Sequence, residues 1–208
     1  MTSALKVNIW MHGRNERRSE IKIIIVMPPG VAGSTPGMHK WTEQFMIDIA
    51  DDIKHTRSWG CELCGAPSRE TFWNVIHWTP VPEPAMTVWG FALCAANTAC
   101  MEMMRTRDIH AMVRQLPPPH WMSPPPAPLL LNAPIESRVL GFVAPLSSSC
   151  ASCHDDDTGA AGSEMNKCSG CHLTRFGRLR TGPCQRSDWP RHKKMCKAVQ
   201  EVKKVKGR

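Results

Sequence analysis

The 208-residue chain contains no tyrosine, and phenylalanine and tryptophan bring the aromatic share to only 6%. An active site that relies on a tyrosyl hydroxyl therefore cannot be built from it. Long apolar runs are missing too: the strongest, Ile21 to Met27, is interrupted by Lys22, whereas a bilayer-spanning helix needs about 20 apolar residues. The N-terminal stretch has no apolar h-region of the kind that marks a secretory leader. No G-x4-G-K-[ST] loop occurs, so Gly30, Gly33 and Gly37 read as plain loop residues, and there is no H-E-x2-H helix. No repeat longer than the C-x2-C unit is visible. These absences lead to the expectation of an intracellular protein, nuclear or cytoplasmic, without a membrane partner. In that setting its ten cysteines mean metal ligands or free thiols rather than disulfides.

A hydrophobic share of 42% is enough for a core, while 18 prolines and 14 glycines predict much irregular structure in one or two domains. The net charge of +8 is uneven: Arg175 to Arg208 carry twelve Lys/Arg against Asp188 and Glu201, a net +10, which leaves residues 1–174 near neutral. Such an end is either a solvated, partly helical tail or a surface for an acidic partner, nucleic acid included.

Residues 1–37 read as a poorly ordered N-terminal segment with one short strand. Residues 1–20 are basic and polar without periodicity, and the β-branched run Ile21 to Met27 ends at Pro28-Pro29-Gly30. Residues 38–114 read as an α+β region. It opens with a helix from Met38 whose apolar stripe is Trp41, Phe45, Ile49 and Ile53, leaving Glu43, Asp48, Asp51, Asp52 and Lys54 for the wet face. Two β-rich stretches follow, Thr71 to Thr79 and Met86 to Leu93, and then a helix capped by Asn97 or Thr98. Cys61-x2-Cys64 precedes this hairpin, while Cys94 and Cys100 straddle the start of the helix, so the four sulfurs can face one ion. Turn, hairpin and helix start is the order of a treble-clef zinc finger. Buried reduced cysteines are the alternative, and His77 and His110 are possible substitute ligands. Residues 115–149 read as a Pro-rich linker, because Gln115 to Pro134 hold eight prolines and favour extended geometry.

Six of the ten cysteines fall between residues 150 and 196: Cys150-x2-Cys153, Cys168-x2-Cys171, Cys184 and His192-x3-Cys196. Thiolate and imidazole in such pairs suit a tetrahedral Zn²⁺, because a two-residue gap lets one turn present both sulfurs. His192 and Cys196 are four apart, on one helix face, with Ser187 as N-cap and Pro190 in the first turn of a helix running to about Val205. Residues 197–208 form the basic C-terminal helix or tail.

With Cys184-Gln185-Arg186-Ser187-Asp188-Trp189-Pro190-Arg191-His192-Lys193-Lys194-Met195-Cys196 at its end, the segment 150–196 strongly resembles a MYND-type zinc finger. The resemblance implies two interleaved zinc ions. One would be held by Cys168, Cys171, His192 and Cys196, the other by Cys150, Cys153, Cys184 and one more cysteine. That cysteine is missing. Its place falls on Gly177 or Arg180, in a stretch about three residues too long by the family's pattern. A gene-model or splice-boundary error, completion by His154 or His172, and a half-formed site are the competing accounts, and Asp155, Asp156 and Asp157 offer oxygens. Lys167, Arg191, Lys193 and Lys194 would soften the charge of the complete site.

The expected fold class is therefore small α+β, metal-stabilised: a C-terminal MYND finger plus an irregular α+β N-terminal region with a treble-clef-like zinc site. The resemblance implies a protein-interaction module in transcriptional regulation, whose partners are proteins with proline-containing motifs of Pro-x-Leu-x-Pro type. These would dock on a strand including residues 177–183 and a pocket around Gln185 and Trp189. Four protein ligands per ion make the zinc structural, and no enzyme activity is expected. A lysine methyltransferase carrying this finger would need a split catalytic domain, a cofactor signature and a tyrosine, none of which the chain offers. Nucleic-acid binding through the basic end is the other alternative, without the C2H2 spacing or aromatic interleaving that would make it specific.

Overall fold

The computed structural model describes residues 4–15, 17–31, 35–78, 84–107, 129–134, 145–154, 166–176 and 181–206. The first element is β1 (Ala4–Gly13), whose side chains alternate: Leu5, Val7, Ile9 and Met11 are buried, Lys6 is exposed, and Asn8, Trp10 and His12 are half-buried. β2 (Arg17–Val26) returns antiparallel, from Gly13↔Arg17 to Ala4↔Val26, after Asn15 turns the chain at φ 62°. The expectation of poor order in residues 1–20 is thus corrected. The period is 2, masked in the sequence by charged and polar residues on the alternate face.

β3 (Glu70–Trp78) and β4 (Ala85–Leu93) form where the two β-rich stretches predict them, and β5 (Leu129–Pro134) pairs with β3. The result is a mixed five-stranded sheet in the order β2-β1-β4-β3-β5, with β1 and β4 parallel. β5 departs from the linker reading of residues 115–149. Leu129 to Leu131 supply β-compatible side chains, and Pro134 sits at the end of an edge strand, where a missing N–H is tolerated. The rest of the proline run, and His110, lie outside the described residues.

α1 (Thr35–Lys54) crosses one face of this sheet. Its buried side is Met38, Thr42, Met46, Ile49, Asp52 and Ile53, while Trp41 and Phe45 are half-buried and stack on each other at 5.5 Å. The helix is therefore turned relative to the expected stripe, and Asp52 and Lys54, placed on the wet side by their charge, are buried, Asp52 fully. On this face Val7, Ile9, Ile21, Ile23, Trp73, Val75 and Val88 share one core with the buried side of α1. The alternate residues Phe72, Ile76, Trp89, Phe91 and Leu93 face the other way, beneath α2 (Ala99–Thr106) with its Met101 and Met104.

The C-terminal part is packed onto the first face rather than hung from a linker. Its small hairpin is β6 (Asn166–Lys167) and β7 (Arg175–Phe176), and its helix is α3 (Thr181–Lys206). Met195, Ala198 and Val199 of α3 join the same cluster as Ile21, Ile23 and Ile49. A C-terminal part too small for its own core borrows this one. The approach is stitched by Ser147, whose N–H donates to Ser68 O at 2.8 Å and whose Oγ accepts from Trp59 N at 2.9 Å. α3 also starts earlier than expected: Thr181 to Pro183 are helical, so they form no peptide-side strand, Ser187 is not the N-cap, and Pro190 lies inside the helix. The physical reason is a second proline signal, since Pro183 suits a first turn as well as Pro190 does. Among the described residues no helix is long and apolar enough to cross a membrane.

Gly90 marks the tightest point of the sheet, opposite Met11 on one neighbour and Trp73 on the other. A Cβ there would run into Met11 Sδ and the Trp73 ring. Gly90→Ala should destabilise the fold by about 1–3 kcal/mol by overpacking, read as a lowered midpoint in urea unfolding; an unchanged midpoint would contradict this packing.

Candidate metal centre

Each C-x2-C pair builds the same turn. The N–H four residues after the first cysteine donates back to its carbonyl: Gly65 to Cys61 at 2.9 Å, His154 to Cys150 at 3.0 Å and His172 to Cys168 at 2.9 Å. The donor is left-handed each time, with φ 79°, 57° and 60°. Only Gly65 adopts this without a Cβ penalty. His154 and His172, weighed as completing ligands, are instead exposed turn residues outside every cluster.

These turns feed three clusters whose ligand atoms all lie within 4.8 Å of one another: Cys61/Cys64/Cys94/Cys100, Cys168/Cys171/His192/Cys196 and Cys150/Cys153/Cys184. In the second, all four residues are buried, with Cys168 Sγ 3.9 Å from Cys196 Sγ and Cys171 Sγ 3.7 Å from His192 Nε2. A tetrahedral ion with metal–sulfur bonds of about 2.3 Å and a metal–nitrogen bond of about 2.0 Å sets edges of roughly 3.8 and 3.5 Å. The four atoms fit it. N–H groups already turn toward the sulfurs: Leu173 N to Cys171 at 3.5 Å, Gln185 Nε2 to Cys168 at 3.5 Å and Gln200 Nε2 to Cys196 at 3.7 Å.

On the far side of the imidazole, His192 Nδ1 lies 2.8 Å from Asp52 Oδ1, which also accepts from Arg191 Nη2 at 3.1 Å. Burial alone would depress His192, but the Asp52 bond and the neighbouring Cys171 raise its pKa to about 10 in the metal-free chain. Burial likewise works against a Cys171 thiolate, yet the His192 contact and backbone N–H groups bring its thiol down to about 7. Thiol, imidazole and carboxylate in a row also describe an activated nucleophile. Two observations favour an ion: Cys171 is only 2% exposed, and Cys168 and Cys196 converge on the same point.

The first cluster sits on the opposite face of the sheet, with Cys61 and Cys100 packed beside Phe72, Phe91 and Met101. Thr98 caps α2, accepting from Met101 N at 3.3 Å, and so holds Cys100 in the first helical turn. His77 is no substitute ligand here. It points to the α1 face, 5.7 Å from the His39 ring, and burial pushes it down to about 4. The third cluster has three sulfurs and no fourth ligand among the described residues; Ser152 N donates to Cys150 Sγ at 3.4 Å. Gly177, Arg180 and Asp155 to Asp157 lie outside the described residues. Of the cations expected to soften the finger's charge, Arg191 is committed to Asp188 and Asp52, and Lys194 to Asp48 at 2.8 Å.

No family model, curated protein or solved structure matches the chain. The site therefore rests on its own geometry. Of the two residues expected to meet a peptide, Trp189 is 38% exposed on α3, while the Gln185 amide is turned in toward Cys168. The contact of buried Asp52 with His192 is not legible in the sequence: nothing in its neighbourhood distinguishes it from Asp48 and Asp51.

Each cluster holds one thiol that charges reluctantly. Burial first, and then neighbouring sulfurs, push the Cys100, Cys184 and Cys196 thiols up to about 12, so at neutral pH they are protonated until an ion displaces their protons. Metal affinity should therefore rise steadily from about pH 6 to pH 8, with protons released on binding, as measured by chelator competition; a pH-independent affinity would contradict thiolate ligation.

Proposed function

We propose that the chain is a zinc-stabilised protein-interaction module whose C-terminal part, residues 150–196, is a MYND-type finger. The observation that carries this reading is the convergence of Cys168, Cys171, His192 and Cys196, all buried, at tetrahedral separations. They belong to the motif that resembles the finger. Three sulfurs and one nitrogen suit Zn²⁺ better than the hard cations, which prefer oxygen. Four protein ligands leave no open position, so the ion folds the module and does no chemistry. Structural zinc of this kind contributes about 10–16 kcal/mol of apparent binding energy to folding. That is ample to hold a finger which otherwise depends on α1 and β2 for cover. The Cys61/Cys64/Cys94/Cys100 cluster serves the same purpose under α2, and Cys150/Cys153/Cys184 is the incomplete second site of the finger.

Exposed Trp189 gives the module a flat apolar contact with an indole donor, suited to an extended proline-containing peptide that loses little entropy on docking. With Gln185 serving Cys168, the peptide contact falls mainly on the tryptophan. A Pro-x-Leu-x-Pro peptide should bind the zinc-loaded chain, and Trp189→Ala should cost about 2 kcal/mol, roughly thirtyfold in Kd, by fluorescence polarisation. Equal affinity of wild type and variant would sink the peptide reading. Binding to unrelated DNA with a steep salt dependence and no peptide binding would favour the basic end as the working surface.

A further inference from the structure

We infer that Asp52 is the positioning residue of the Cys168/Cys171/His192/Cys196 centre, so that a carboxylate of the N-terminal α+β half completes a metal site of the C-terminal finger. The inference rests on the metal reading above. Asp52 is fully buried, and its Oδ1 takes both donors that α3 directs at it, His192 Nδ1 at 2.8 Å and Arg191 Nη2 at 3.1 Å. Its Oδ2 has no hydrogen-bond partner among the described residues, so all the directed bonding of this carboxylate goes to α3. An ionised carboxylate only accepts, which obliges Nδ1 to carry the proton. Nε2 is then the ring atom with a lone pair to give, and it is the atom that faces Cys171.

Burying a carboxylate is costly unless opposite charge meets it. Arg191 supplies part of that charge and is itself bracketed by Asp188 at 2.8 and 2.6 Å, which fixes its direction. An ion bound through His192 supplies the rest, and the carboxylate in turn raises the basicity of the ligating nitrogen. A merely structural contact between α1 and α3 would be met by apolar side chains, as it is around Ile49, Met195 and Ala198.

The test uses the full chain, labelled with ¹⁵N-histidine and loaded with ¹¹³Cd²⁺, as wild type, Asp52→Asn and Asp52→Ala. In wild type the cadmium held by nitrogen and sulfur should couple to Nε2 of His192 with Nδ1 protonated. Chelator competition should show Asp52→Ala weakening that centre about 10- to 100-fold, with Asp52→Asn, which keeps an acceptor but no charge, in between, while the all-sulfur resonances keep their affinity. If Asp52→Ala does not fold, Asp52→Asn carries the test. Coupling through Nδ1, unchanged affinity in the variants, or equal weakening at every centre would overturn the positioning role. No cadmium–nitrogen coupling in wild type would remove the metal reading itself, and the positioning role with it.

Discussion

Seven of the ten cysteines are buried, and all seven sit in clusters whose ligand atoms lie within 4.8 Å of one another. That arrangement is the constraint on which the molecule turns. A buried sulfur is comfortable as a neutral thiol among hydrophobes, and several gathered at one point resist charging, because burial and mutual repulsion hold the later thiols near 12. A divalent cation removes the conflict by replacing protons. The three turns that present the first sulfurs are closed by backbone hydrogen bonds, so the cost of bringing each first pair of ligands together is met locally.

The five-stranded sheet then arranges the clusters in space. Alternation along β3 and β4 sends Trp73, Val75 and Val88 to one side and Phe72, Ile76, Trp89 and Phe91 to the other. Cys61 and Cys100 lie on the second side beneath α2, while Cys150, Cys168, Cys171, Cys184 and Cys196 share a core with α1 and β2 on the first. The C-terminal part and the N-terminal half share one hydrophobic cluster, and polar contacts among the described residues join them, including Ser147 with Ser68 and Trp59, Ser149 O with His55 Nδ1 at 3.0 Å, and α3 with Asp48 and Asp52. The exposed Lys194–Asp48 pair contributes little, on the order of 0–1 kcal/mol. The buried Asp52 contact is different in kind, because it reaches His192 of the four-residue cluster.

What could be read from residues alone was what is local. Cysteine spacing, the strands at β3 and β4, and Thr98 as a cap depend on a few neighbours and were visible as such. β1 was hidden because Lys6, Asn8 and His12 interrupt its apolar residues without breaking the alternation. The start of α3 was misread because Pro190 and Pro183 give the same signal, and only packing decides between them. β5 was obscured by prolines on both sides of Leu129 to Leu131. Asp52 was out of reach for a deeper reason: its partner is 140 residues away, and a charged residue on a helix is assigned to water unless the structure shows what meets it. The resemblance to a MYND finger came from the C-terminal motif, and the geometry adds one convergent four-ligand set to it, leaving the finger's identity a proposal.

The central claim is that these sulfur clusters are metal centres, and native mass spectrometry of the full chain purified without chelator tests it most directly. The account predicts two tightly held zinc ions, one for each four-ligand cluster, with a third taken up by Cys150, Cys153 and Cys184 in excess zinc. A folded chain that carries no ion, and takes none up when zinc is added, would contradict it.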